Sequence, residues 1–179
     1  MQKQLRQKLQ QRDSFVAIAE VTAGLRFNFE PVERFLKGFS DNGHNSIPDE
    51  FDFAAVSVPQ NPGGLANLEP MDILGRLRLK NMLGDLDFMP HISCKDHNAD
   101  ALVSMLNGFR SAGVETVLVL TGDKPIRAKG VFELESVGLL RAVKHLNSHI
   151  MASAKSDELD KTYQYFPGAA VSPFKYTEA

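Results

Sequence analysis

Residues 117–125 read VLVLTGDKP. Four apolar residues run directly into Thr121, Gly122 and Asp123, and Pro125 follows. The wider run VETVLVL (114–120) has the length and β-branched content of a buried strand. Asp123 then falls on the rim where that strand ends. Gly122 lets the backbone turn sharply or lets a ligand approach closely. Pro125 lacks the N–H that further strand pairing needs.

The same pattern repeats on both sides of this stretch. FVAIAEV (15–21) is a compact apolar run, the signature of a strand buried on both faces. FDFAAVSV (51–58) is a second strand, stopped by PQNPGG. FMPHISC (88–94) is a third, and FPGAAVSPF (166–174) a fifth after 114–120. Helical spacing appears between them. EPVERFLKGF (30–39) and PMDILGRLRLKNML (70–83) are helices, the second with Pro70 in its first turn. HNADALVSMLNGF (97–109) is amphipathic, with Asn98 or Asp96 placed to cap it. VFELESVGLLRAVKHLNSHI (131–150) places Leu134, Val137, Leu140 and Leu146 among its apolar positions. QKQLRQKLQQ, at the start, has Leu5 and Leu9 at i, i+4 and predicts a short surface helix.

Apolar strands alternating with amphipathic helices imply parallel pairing and right-handed crossovers. Either an open doubly wound sheet or part of a (β/α)8 TIM barrel fits this α/β order. In both, a site lies outside the carboxyl ends of the strands. Polar residues recur there: Glu20, Ser57, His91 to Cys94, Thr121 to Asp123, and Ser172.

The totals narrow the function. The 179 residues are 43% hydrophobic and 23% charged, with a formal net charge of −2. Those values describe a globular chain and argue against an electrostatic nucleic-acid binder. The single cysteine, Cys94, cannot form an internal disulfide, which points to a reducing compartment. The polar N-terminus has no signal-peptide core, and no run approaches the about 20 apolar residues of a membrane span. A cytoplasmic protein with no membrane partner is the expectation.

Each rim residue has two readings. Glu20, if buried, would favour its neutral form and act as a general acid near neutral pH. Otherwise it is a capping or salt-bridged residue at a strand end. Asp123 could set negative charge beside a cofactor or a cationic intermediate, or satisfy its own turn amides. His91 and Cys94 have H-x-x-C spacing, but one cysteine without a C-x-x-C partner is a poor zinc set. A hydrogen-bonding His91 and a packed Cys94 fit better, with no metal expected. NPGG lacks a phosphate-loop arrangement and reads as a turn.

The segment HISCKDHNADALVSMLNGFRSAGVETVLVLTGDKP resembles the methylenetetrahydrofolate reductase family. That family carries a His-x-x-Cys segment, a helix, an apolar strand, then Thr-Gly-Asp or Arg-Gly-Asp with prolines. AIAEVTAG, VSVPQNPGG, VFELESVGLL and GAAVSPFKYTEA agree in order, so the likeness spans nearly all of the chain after residue 14.

The resemblance implies a (β/α)8 barrel holding FAD at its strand ends, with NADH or NADPH as electron donor. It implies reduction of 5,10-methylenetetrahydrofolate to 5-methyltetrahydrofolate in one-carbon metabolism, a step toward methionine biosynthesis. Glu20 matches the family's catalytic acid, and Asp123 the aspartate beside the flavin pyrimidine. Both would also meet the folate. His91, Thr121 and Gly122 match cofactor-contacting positions. Phe132, Tyr176 and Ala179 fall on stretches that touch the adenosine side. Pro59 and Gln60 stand where the family often has Thr and Tyr, Ser172 where it often has Tyr, and Tyr176 where it often has His. These are cofactor positions with altered side chains.

A complete barrel takes about 250 residues. The expectation is therefore a helical extension over 1–14 and, over 15–179, the N-terminal portion of such a barrel with about five parallel strands. Such a chain is either a fragment or a short member that needs a second copy or a partner subunit. The alternative function is a non-catalytic partial barrel that binds flavin, folate or a protein partner.

Overall fold

The computed structural model describes residues 4–11, 15–22, 28–41, 51–153 and 164–171. The elements run α1 (Gln4–Gln11), β1 (Phe15–Glu20), α2 (Glu30–Asp41), β2 (Phe51–Val58), α3 (Pro70–Leu79), β3 (Asp87–Ser93), α4 (Ala99–Ser111), β4 (Thr116–Leu120), α5 (Ser136–Ser153) and β5 (Phe166–Ala169). The five strands form one sheet in the order β1-β2-β3-β4-β5, and every pair is parallel.

This order decides between the two architectures. Right-handed crossovers that always step the same way put every helix on the same face. A doubly wound sheet reverses direction and covers both faces. Here Val32 and Leu36 of α2, Ile73, Leu74 and Leu77 of α3, Leu102, Leu106 and Phe109 of α4, and Leu139 and Val143 of α5 share one buried core. Val56, Val58, Phe88, Ile92, Val117 and Val119 meet them from the sheet. The sheet curls with its helices outside, as the incomplete (β/α)8 barrel that the sequence predicts.

The inner face is filled at its lower end by α1. Leu5, 2% exposed, packs with Ala54, Ala55 and Met89. Its backbone N–H donates to Asp87 Oδ2 at 2.8 Å, and Lys8 pairs with Asp52. Asp52 and Asp87 lie at the starts of β2 and β3, so α1 plugs the end opposite the polar rim. The expected surface helix is corrected on this point: Leu9 is exposed, but Leu5 is core. The register between β1 and β2 slips after Ala17, which brings the adjacent Ala54 and Ala55 into the same cluster.

β1 also departs from expectation. It pairs with β2 alone among the described residues, and Phe15 and Ile18 are exposed, so it is an edge strand and not one buried on both faces. A continuous apolar run does not report where a strand sits in the sheet.

α5 begins five residues late because long-range bonds draw out its approach. Val131 N–H donates to the Lys95 carbonyl at 2.7 Å, and Ser136 N–H donates to Thr121 Oγ1 at 3.1 Å. Phe132 adopts a positive φ of 44° between them. Val137 is exposed, while Leu139 and Val143 take the core positions. Asn98 caps α4, its Oδ1 accepting from Ala101 N–H at 2.9 Å. β5 is short. Asn147 of α5 holds its entry by accepting from Tyr165 N–H and donating to Tyr165 O. Ser172, Tyr176 and Ala179 lie outside the described residues. No helix among the described residues is long and apolar enough to cross a membrane.

Candidate functional site

The carboxyl ends of all five strands open onto one cavity of about 960 Å³. That volume is of the size that holds a cofactor-sized ligand. Glu20 enters it from the end of β1, Pro59 and Gln60 from β2, and His91, Ser93 and Lys95 from β3. Thr121, Gly122 and Asp123 enter from β4, and Ala170 and Val171 from β5. The strand period places His91 and Ser93 on the inner face, while Ile92 points into the helix-side core.

Glu20 and His91 face each other, with Glu20 Oε2 at 3.8 Å from His91 Nε2. The histidine is buried and the Glu20 side chain is 59% exposed. The condition of the general-acid reading, a Glu20 buried by the protein, is therefore not met by the chain itself. Burial pushes the His91 imidazole below its usual range, and the Glu20 charge pulls it part of the way back. His91 Nε2 and Ser93 Oγ are both buried without a hydrogen-bond partner.

Asp123 does not satisfy amides of its own turn. Its Oδ2 accepts from Gly63 N–H at 3.2 Å, across to the loop after β2. The NPGG segment is the expected turn, and its role is docking. Ile126 N–H donates back to Gly64 O, and a Cβ on Gly64 would meet Lys124 O at 2.4 Å. Gly122 is the tighter case. It has φ of 90°, and a Cβ there would lie 1.9 Å from Ser93 Oγ and 2.9 Å from Lys95 Cδ.

Gln60 is buried, and its amide is fully engaged. Oε1 accepts from Ser93 N–H at 3.0 Å and Nε2 donates to Glu69 Oε2 at 3.0 Å. Thr121 Oγ1 is likewise engaged at the start of α5. Phe132, 40% exposed, does not line the cavity. Cys94 lies in the helix-side core with its thiol pushed up by burial, so it and His91 point to opposite sides of the sheet.

One wall residue escaped the sequence reading, and a second fell on the expected rim without a role. Lys95 is 2% exposed, and its Nζ meets Asp96 Oδ2 at 2.8 Å, with Asn61 Nδ2 donating to the same oxygen at 3.0 Å. Burial alone pushes the Asp96 carboxyl up, but these hydrogen bonds outweigh it and hold it below its usual range. Ser93 is the other. Neither residue type signals a site by itself, because a lysine or serine after a strand is ordinarily solvated.

A family model described as methylenetetrahydrofolate reductase matches residues 55–176. That stretch includes His91, Asp123 and the whole β2–β4 rim, and it begins after Glu20. No curated protein and no solved structure is matched.

Proposed function

Because the chain belongs to the methylenetetrahydrofolate reductase family, a group of flavin-related oxidoreductases, we propose that it takes part in FAD-dependent reduction of 5,10-methylenetetrahydrofolate to 5-methyltetrahydrofolate. The observation that carries this reading is the convergence of Glu20, His91 and Asp123, from three strand ends, on one cavity. The wall suits a flavin ring. His91 Nε2 is buried without a hydrogen-bond partner, so it suits a ligand with polar edge atoms, while Gly122 packs directly on Ser93 and Lys95.

Bound and reduced, FAD supplies the hydride that reaches the folate's methylene carbon, with NADH or NADPH as the source of electrons. The chain's own residues handle charge and protons. Protonated Glu20 delivers its proton to N10 of the substrate, which breaks the N10–methylene bond and leaves a 5-iminium cation. Glu20 is 59% exposed in the chain itself, so it stands open to the substrate it would protonate. Ionised Asp123 faces the cation and stabilises it, while its bond from Gly63 N–H holds it in place. His91 stays neutral by burial and orients the ring. The contacts of Pro59, Gln60, Thr121, Phe132, Ser172, Tyr176 and Ala179 with FAD belong to this same proposal. Gln60 and Thr121 act there through the backbone they brace.

The test is reconstitution with FAD under anaerobic conditions. The flavin absorbance should bleach with NADH or NADPH and return on adding methylenetetrahydrofolate. A chain that holds FAD without this return supports the second reading, a non-catalytic barrel portion.

Exposed Ile18 (39%) and Val171 (87%) favour that reading's further element, a partner subunit or second copy over the edge of the sheet. Size-exclusion chromatography with light scattering would then give more than one chain's mass. A monomer with turnover contradicts it.

A further inference from the structure

The solvent side of α5 carries two histidines that the cavity does not use. His145 and His149 stand four residues apart, so they share one face of the helix on successive turns. Their Nε2 atoms approach to 2.8 Å, and the rings meet edge to face with centroids 4.3 Å apart. Both side chains are exposed, while Leu139 and Val143 of the same helix are buried and anchor it to the core. Ser136, which lines the cavity, is about 14 Å from His145 along the helix axis, at about 1.5 Å per residue. The pair is therefore a separate feature, on the half of α5 that leads toward β5.

Without an ion, the contact is a hydrogen bond in which one Nε2 donates and the other accepts. Two converging imidazole nitrogens are also the donor set of a bidentate chelate. Their separation selects among ions. Metal–imidazole bonds of about 2.0–2.1 Å at a right angle put the nitrogens about 2.9 Å apart, and at the tetrahedral angle about 3.3 Å apart. The observed 2.8 Å fits adjacent corners of a square-planar or tetragonal ion, the preference of Cu(II) and Ni(II) rather than of Zn(II). Two nitrogen donors do not suit Ca(II) or Mg(II), which take oxygen ligands. Among the described residues no group of three or more His, Cys, Asp or Glu is placed to hold a metal, so the remaining corners fall to water.

We propose that His145 and His149 form a bidentate surface site for a divalent transition-metal ion of the Cu(II)/Ni(II) class. The two rings come together only while the helix is folded, so the ion stabilises the turn that holds them. Asn147 belongs to that turn, and its side chain accepts from Tyr165 N–H and donates to Tyr165 O at the entry to β5. The ion thus secures the joint from which β5 starts.

The experiment titrates the untagged full chain with Ni(II) and with Zn(II) by calorimetry in a non-chelating buffer, alongside His145→Gln, His149→Gln and the double variant. The parent chain should bind Ni(II) more tightly than Zn(II). Each single variant should weaken Ni(II) by at least about tenfold, because the second imidazole no longer closes the chelate. Both positions are exposed, so without metal the variants should melt within about 2 °C of the parent chain. With Ni(II) at about a hundred times its dissociation constant, the parent chain should melt higher by on the order of 5 °C, and the double variant should not. Ni(II) binding that survives the double substitution would place the ion elsewhere and overturn the assignment. Tighter Zn(II) than Ni(II) would contradict the right-angle bite, and binding without a rise in melting temperature would contradict the stabilised turn. A parent chain that binds neither ion would overturn the site outright. The flavin reading rests on the cavity and stands or falls apart from all of these results.

Discussion

Gly63 N–H donates to Asp123 Oδ2 at 3.2 Å, joining the loop after β2 to the loop after β4. The bond needs an acceptor oxygen but not a charge. Asp123→Asn keeps the oxygen and removes the charge, so the loops should stay docked. A bound flavin should then show a raised reduction potential, since a negative neighbour has gone. Folate reduction should slow even so, by about 10²-fold, because the cation loses its counter-charge. A redox titration of the variant alongside single-turnover kinetics checks both; an unmoved potential would mean that Asp123 only braces the loops.

Gly122→Ala should fail for steric reasons. The φ of 90° is strained for alanine, and the added carbon would press on Ser93 Oγ and Lys95. The expected cost is about 2–4 kcal/mol, or a fall in melting temperature on the order of 5–10 °C for a chain of this size. Flavin affinity should fall with it. A variant that melts like the parent chain would show that the loop can retreat from β3.

β4 was the most legible element, because its apolar run meets Thr121-Gly122-Asp123 abruptly. The helix-side core followed from periodicity in the same way, since Leu102, Leu106 and Phe109 recur at helical spacing. What sequence alone missed depends on distant partners. Nothing local to Leu5 says that Asp87 and Met89 will enclose it. Nothing local to Val131 says that the Lys95 carbonyl will hold it out of α5. Gln60 entered only through the resemblance, as a cofactor position, and its bond to Ser93 joins residues 33 apart in the chain. The rim carboxylates were legible by position, and Glu20's exposure was not, because exposure depends on β1 being an edge.

His91 should make the chain acid-sensitive. Burial lowers its folded pKa from an ordinary 6.5, and Glu20 opposes that shift. The unfolded chain therefore binds the proton first as pH falls. The His91 contribution to stability is complete above pH 6.5 and is lost as pH drops toward the folded value. Titration of the histidine ring signals by NMR should place His91 below 6.5. Glu20→Gln should move it lower still, since the raising charge is gone. A rise in the variant would mean that the two side chains do not face each other in solution.

The half-reactions of Glu20→Gln give the most direct measurement. The substitution keeps the side chain's shape and removes the proton it delivers. Flavin binding and reduction of the flavin by NADH or NADPH should match the parent chain. Reoxidation by methylenetetrahydrofolate should slow by about 10²–10⁴-fold, the share a general acid supplies. Reoxidation at the parent rate would contradict a proton delivered from Glu20, and with it the assignment of this cavity as the site of folate reduction.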